Sequence, residues 1–350
     1  MRAVRYLGTA GLQVEELPRP RPGPAEARIA VSIAGICGTD AMVASGSYEP
    51  DRVPIILGHE FVGVVEEVGA ASDAPEAGAR VVAEASWRCG RCTACLAGTS
   101  PCSSPIGLGR SVDGCFATDV VLPMAALHPV PPQVSDRAAQ AFVSVGTALK
   151  AAALALQRTP TDVVLIGSGH GALLILQILV HRGIEVSVAG TRNHRLGLAR
   201  RFGAVDTLDL RDPHDRERFE SANRHRGSAE VTVEATGAGE GLGRALAATR
   251  PGGTVVAYSI YRDSDVVPHL DLLYQRGLTV VGSRGGASYW DEALRLLGEG
   301  RVDPVPLTRE PVGLDDVPAT FSLMSSKSID APRVLIDPRI EGSTTRSEEP

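Results

Sequence analysis

Residues 89–102 read CGRCTACLAGTSPC, and four of the chain's six cysteines fall within that stretch. Cys89, Cys92, Cys95 and Cys102 supply four thiolates on a polar loop with little apolar material of its own. Two C-x-x-C steps followed by a further cysteine match a closed tetrahedral zinc site, in which the metal organises the loop. An iron–sulfur cluster and a set of buried free thiols are the rival chemistries for the same residues. Earlier in the chain, GICGTD and LGHEFVG carry Cys37 and His59, each beside a glycine that frees the backbone. A thiolate and an imidazole suit a catalytic zinc, which takes three protein ligands and keeps one position open. Taken alone, a cysteine and a histidine so far apart do not make a site, because a lone buried cysteine usually only packs.

A different chemistry is written in VVLIGSGHGA, where Gly167, Gly169 and Ala172 form a G-x-G-x-x-A pattern with His170 and Gly171 inside it. Gly167 permits a tight strand-to-helix turn, and Gly169 lets a pyrophosphate approach the backbone at a helix N-terminus. Ala172 is small enough for that helix to pack on a sheet. The pattern follows an apolar strand and opens an apolar helix, which is the context it requires. The bland alternative is an ordinary tight turn. The second strand of the unit runs into VSVAGTRNHR. Gly190 stands where an acidic residue would bind the adenosine ribose hydroxyls, followed by Thr191 and Arg192, with His194 and Arg195 close behind. Glycine leaves room, threonine offers a hydroxyl and arginine offers charge-assisted bonds to a 2′-phosphate. NADP(H) is therefore expected in preference to NAD(H). The competing view is that Arg192 and Arg195 are solvated charges at a helix start.

The elements that must position these residues come in two styles. ARIAVSIAGI and EFVGVVEEVG read as strands between turn signals, in an N-terminal region rich in glycine and proline. From about Ala138 the pattern changes to an Ala- and Leu-rich helix. A strand–turn–helix–strand unit follows, and then further strand–helix alternation through AEVTVEATG, GLGRALAATRPGG, TVVAYSI and GLTVVGS, with a last helix in YWDEALRLLGEGRV. The length of 350 residues suggests two domains, and a 43% hydrophobic content is enough for sizeable cores. A formal net charge of −6 points away from a nucleic-acid surface. No apolar run is long enough to span a membrane. Without a secretory signal at the start, a cytoplasmic, reducing setting is expected, where clustered cysteines hold metal rather than form disulfides.

Together these stretches resemble the zinc-containing medium-chain dehydrogenase/reductase family, which includes alcohol, polyol, threonine and glucose dehydrogenases. The resemblance spans about residues 1–340. It rests on GICGTD, GHEFVGVVEEVG, the four-cysteine loop, SVDGCFATDVVLP, the glycine-rich turn, VEATG, RPGGTVV and VVGS, in that order. It implies an α/β fold with a GroES-like β catalytic domain and a Rossmann domain containing a doubly wound parallel sheet. The expected division is 1–150 completed by 281–340 for the first, 151–280 for the second, and a disordered polar tail over 341–350. It also implies that the four-cysteine lobe is structural and that Cys37 and His59 hold a catalytic zinc.

Departures from the family pattern shape the rest of the expectation. The third ligand of the family falls at Val143, which has no ligating atom, and Glu60 directly after His59 is the expected substitute. Thr39 matches the hydroxyl that takes the substrate's proton. Met42 stands where many members have a histidine relay, and methionine cannot carry a proton. The four-cysteine loop is one residue shorter than usual before Cys102, and Cys115 replaces a common glycine and is read as packing. The expected activity is zinc-dependent NADP(H) oxidoreduction of a secondary alcohol/ketone pair, with a small, polar polyol, sugar or cyclitol-like substrate. A metal-independent NADPH reductase of the same superfamily and a non-catalytic NADPH-binding protein are the alternatives. A homodimer or homotetramer is expected, with no nucleic-acid or membrane partner.

Overall fold

The structure is a computed structural model that describes residues 1–70, 75–99, 101–223, 227–261, 267–326 and 328–341. Apart from Glu341, the tail expected to be disordered lies outside the described residues. The chain divides into two compact units. The first comprises Met1–Phe142, Thr308–Ile329 and the segment from Arg333 onward; the second comprises Val143–Leu307 and Asp330–Pro332.

The first unit is built on a six-stranded antiparallel sheet. Its spine is the ten-residue strand Glu26–Gly35, whose buried face carries Ile29, Val31 and Ile33. Phe61–Val68 lies along one side of it and leads on to Arg80–Ala83 and Leu127–Pro129. The other side is shared. Asp119–Pro123 pairs with its first half, and the C-terminal strand Leu335–Ile336 pairs with its end at Ala34 and Gly35. A three-stranded sheet of Leu12–Glu16, Arg2–Tyr6 and Ile55–Ile56 adds to the same core, in which Ile29, Ile55, Leu57, Phe116 and Leu122 are fully buried.

The second unit holds a six-stranded parallel sheet in the order Asp206–Asp209, Glu185–Gly190, Asp162–Ile166, Ala229–Glu234, Thr249–Ala257, Thr279–Gly282. That is the Rossmann order, in which the chain switches direction across the sheet between its first and fourth strands. The strands Asp162–Ile166 and Glu185–Gly190 are joined by the helix His170–His181, which buries Leu173, Leu174, Ile175 and Leu176. Such near-continuous apolar stretches are what a parallel sheet covered by helices requires.

The boundaries between the units differ from those expected. The stretches 143–150 and 281–307 belong with the parallel sheet. The reason is close packing. A Cβ at Gly146, in the helix Phe142–Leu156, would stand 2.3 Å from the Trp290 ring, and one at Gly286 would stand 2.5 Å from the Gly146 backbone. These segments interlock within one unit, a fact that periodicity along either one cannot express. Among the described residues, no helix is long and apolar enough to cross a membrane.

Candidate active site

Cys37 ends the run that begins as the central strand of the first unit, and it caps the short helix Gly38–Ala44. The Cys37 backbone N–H donates to Asp40 Oδ2 at 2.8 Å, and Thr39 Oγ1 lies 3.9 Å from Cys37 Sγ. Asp40, 3% exposed, is the residue that the sequence reading missed. Its Oδ1 lies 3.3 Å from His59 Nδ1, so the carboxylate orients the ring and leaves Nε2 for a metal. A carboxylate behind a metal-binding imidazole is a usual second support of such sites. The clue in the sequence was Asp40 three positions after Cys37, a helix-start spacing. The contact with His59 has no local signature. Burial opposes the charged form of His59, yet Asp40 outweighs it and holds the imidazole pKa well above its ordinary range. Gly58 precedes His59 at φ +93°, and a Cβ there would meet the Phe116 ring at 2.3 Å, so glycine is what lets the strand turn in.

The donor atoms of Cys37, His59 and Glu60 lie within 4.8 Å of one another. Two ligands sharing a zinc at about 2.0–2.3 Å each can stand at most about 4.6 Å apart. The three residues are therefore gathered at nearly the separation one ion would need. Glu60 is 2% exposed and is divided between two partners. Its Oε1 lies 3.8 Å from His59 Nε2, and its Oε2 accepts a 2.5 Å bond from Arg333. Arg333 is itself buried and also donates to the Ile36 carbonyl at 2.9 Å. Burial opposes its charge, but Glu60 more than compensates and raises its pKa. The C-terminal strand brings Arg333 here through pairing at the end of Glu26–Gly35, and the Ile36 N–H bonds to Val334 O. Sequence reasoning missed Arg333 because its partner lies hundreds of residues upstream. Val143 is a buried apolar side chain of the second unit and supplies no donor. Cys115 is fully buried in the core of the first unit and contacts Glu60 O.

The four-cysteine lobe is a separate ligand set in the same unit. The Sγ separations are 3.8 Å for Cys89–Cys95, 3.8 Å for Cys92–Cys102, 3.5 Å for Cys95–Cys102 and 3.6 Å for Cys102–Cys89. A tetrahedron with zinc–sulfur bonds of about 2.3 Å has edges of about 3.8 Å. Disulfides would bring sulfurs to about 2.05 Å, and all four thiols are free. Backbone N–H groups of Ser103 and Cys95 stabilise the Cys92 thiolate and pull its pKa down to about 5. These residues fit a closed structural zinc.

The nucleotide site lies in the second unit. Gly167 follows the strand Asp162–Ile166 at φ +116°, and a Cβ there would stand 3.0 Å from the Ala235 carbonyl. Gly169 caps the helix His170–His181 and has open space where its side chain would be, which is the room a pyrophosphate needs. His170 begins that helix, and Gly171 next to it has no room for a Cβ, which would meet the Tyr258 ring at 2.5 Å. Tyr258 in turn shares a 3.0 Å hydrogen bond with Thr147. Gly190 ends the second strand as expected, but its vacancy is filled. A Cβ there would meet Ser168 Oγ at 2.7 Å, so glycine is required by packing within the turn and not only by a ligand. Thr191 and Arg192 lead into the helix Asn193–Arg201, which has no acidic residue in its first turn. The Arg192 guanidinium makes no hydrogen bond among the described residues, whereas Arg195 donates to the carbonyls of Asp330 at 2.9 Å and Ala331 at 3.3 Å. Beside them an open recess is lined by Asn193, Asp209, Arg211, Asp212, Pro213 and Asp215. The VEATG motif is explained by Glu234. This fully buried carboxylate accepts from Thr236 N at 2.6 Å, from the Thr236 hydroxyl and from the Tyr261 phenol, and so holds the loop against which Gly167 packs.

Comparison with known proteins agrees with this arrangement. Residues 23–132 match the alcohol dehydrogenase GroES-like domain, and residues 169–299 match the zinc-binding dehydrogenase family. A sorbitol dehydrogenase of Halalkalibacterium halodurans is 30% identical over 95% of this chain and 97% of its own. An L-threonine 3-dehydrogenase of Anaeromyxobacter sp. is 31% identical over 89% of this chain and 92% of its own. Among solved structures, a Sinorhizobium meliloti protein described as a zinc-binding dehydrogenase bound to NADP superposes with a TM-score of 0.88 at 26% identity, covering 96% of this chain and 99% of that one. With its GroES-like and Rossmann units, its two ligand sets and these relatives, the chain belongs to the zinc-containing medium-chain dehydrogenase/reductase family of oxidoreductases.

Proposed function

We propose that this chain is a zinc-dependent NADP(H) oxidoreductase that interconverts a secondary alcohol and a ketone on a polar, polyol-like, sugar or cyclitol substrate. The observation that carries the reading is the gathering of the Cys37, His59 and Glu60 donors to within 4.8 Å. When bound, zinc supplies Lewis-acid polarisation of the substrate oxygen and the nicotinamide supplies or accepts hydride. Cys37 and His59 Nε2 would hold the ion, and Asp40 fixes the ring that presents Nε2. Glu60 Oε1 completes the protein ligands, while Arg333 holds the other carboxylate oxygen. Bound nicotinamide would exchange hydride with the carbon bearing the substrate oxygen, and the Thr39 hydroxyl would give a proton to that oxygen or take one from it. The Gly167–Gly169 turn accommodates the pyrophosphate, with His170 and Gly171 opening the helix behind it, and Arg192 with Thr191 receives the 2′-phosphate. Relatives named for sorbitol and threonine, both small polar secondary alcohols, support the substrate class. A cytoplasmic location belongs to the same proposal.

Metal analysis of the purified chain is expected to give two zinc ions, one removable by a chelator together with activity. A single, non-removable zinc with full activity would replace this reading by that of a metal-independent reductase. Arg192→Ala is expected to weaken NADPH binding by about 1.5–3 kcal/mol, the usual worth of a hydrogen bond to a charged group, and to leave NADH nearly unchanged.

A further inference from the structure

We propose that Asp330 sets how strongly this chain favours a 2′-phosphorylated cofactor, by keeping a carboxylate against the arginine pair that would receive the phosphate. The proposal rests on the NADP(H) reading above. Asp330–Pro332 is a short part of the C-terminal stretch, yet it belongs to the nucleotide unit, while the residues on both sides of it belong to the other. Arg195 holds it there through two backbone carbonyls, those of Asp330 and Ala331. The anchoring does not depend on the Asp330 side chain. It delivers that side chain to the guanidinium groups, with Oδ1 3.6 Å from Arg195 Nε and 4.0 Å from Arg192 Nη1.

These separations exceed hydrogen-bond length. Asp330 therefore acts as a nearby charge and not as a locked partner, and with its side chain 48% exposed the pairing is weak. Arg192 keeps its donors available, since its guanidinium makes no hydrogen bond among the described residues. The recess beside them adds Arg211 and Asp209, paired through bonds of 3.2 and 3.0 Å, and the carboxylates of Asp212, which accepts from the His214 and Asp215 N–H groups, and Asp215, which lies 3.6 Å from Arg218.

A phosphate monoester carries about −1.5 to −2 charges at neutral pH. Brought to Arg192, it meets the attraction of two guanidinium groups and the repulsion of Asp330. A free ribose hydroxyl in the same place carries no charge and meets neither. Asp330 thus penalises the phosphorylated cofactor and spares the unphosphorylated one, so the ratio between them depends on a residue far outside the nucleotide motif.

The test compares Asp330→Asn, Asp330→Ala and Arg192→Ala by titration with NADPH, NADH, 2′,5′-ADP and 5′-AMP. Asp330→Asn preserves the shape of the side chain, and the Arg195 anchors are backbone carbonyls, so the segment is retained. Both Asp330 variants are expected to bind NADPH and 2′,5′-ADP about three- to tenfold more tightly, with a smaller gain at high salt, and to bind NADH and 5′-AMP within about twofold of wild type. NADPH affinity that is unchanged or weaker in both Asp330 variants, while Arg192→Ala still loses NADPH, overturns the role of Asp330 alone. Arg192→Ala with unchanged NADPH affinity overturns the NADP(H) reading itself, and the proposal with it.

Discussion

At the scale of single residues, the candidate site is governed by side chains that are not ligands. Asp40 fixes the His59 ring from behind, and Arg333 holds one oxygen of Glu60. Asp40→Asn keeps the shape but loses the charge, and it is expected to weaken metal binding at Cys37 and His59 by about 10- to 100-fold, as loss of such outer partners does. Chelator competition with separate counting of the two zinc ions checks this; the four-cysteine zinc should be untouched. Glu60→Ala has a second consequence. It removes the proposed third ligand and also takes the Glu60 carboxylate from the buried Arg333 guanidinium, which costs about 3–5 kcal/mol when a buried pair is broken from one side. Urea unfolding of the metal-free chain separates that cost from the loss of metal binding. An unfolding free energy equal to wild type would show that the pair is not stabilising the unit.

At the scale of elements, two local features decide whether the machinery holds its shape. Among its described residues the four-cysteine lobe contains one short helix, Thr93–Leu96, and the strand pair Ser86–Trp87 with Ile106–Gly107. With its sulfurs 3.5–3.8 Å apart, its order is expected to depend on a metal. Cys95→Ser opens the closed tetrahedron, and the expected result is a loss of one zinc per chain and a lower melting temperature. Full zinc content at an unchanged melting temperature would contradict it. In the second unit, the helix Phe142–Leu156 is seated by the Trp290 ring against Gly146. Gly146→Ala is expected to cost about 1–3 kcal/mol by overpacking. Pairing it with Trp290→Leu should recover part of the loss, which thermal or urea denaturation of the single and double variants will read.

At the scale of the whole molecule, the parallel sheet ends on the strand Thr279–Gly282, whose outer edge has no partner among the described residues. Val280 on that strand is 41% exposed, and Tyr274 just before it is 94% exposed. An open, partly apolar edge is a template for pairing with a second chain. A homodimer through this edge is expected, and Val280→Lys should shift the sedimentation of the chain from dimer to monomer. Sedimentation of the wild-type chain as a monomer would remove the edge from consideration.

The sequence by itself determined which residues can ligate and which turn can hold a dinucleotide, because those properties are local. Four thiols within one loop and a glycine pattern between an apolar strand and an apolar helix are legible from spacing alone, whereas Cys37 and His59 became a candidate pair only through the family resemblance. The α/β class and its two kinds of unit followed from the same periodicities. Tertiary structure decided everything that depends on a partner distant in the chain. Arg333 meets Glu60 only because a C-terminal strand pairs with the end of Glu26–Gly35. Gly190, read as room for a phosphate, also has Ser168 packed where its side chain would be. Arg195, read as a phosphate ligand, is partly engaged by the Asp330 and Ala331 carbonyls. The stretches 143–150 and 281–307 belong with the parallel sheet because Gly146, Gly286 and Trp290 interlock. Hydrophobic period and residue spacing describe the few neighbours along a helix or strand. They contain no term for a side chain that another element carries into contact.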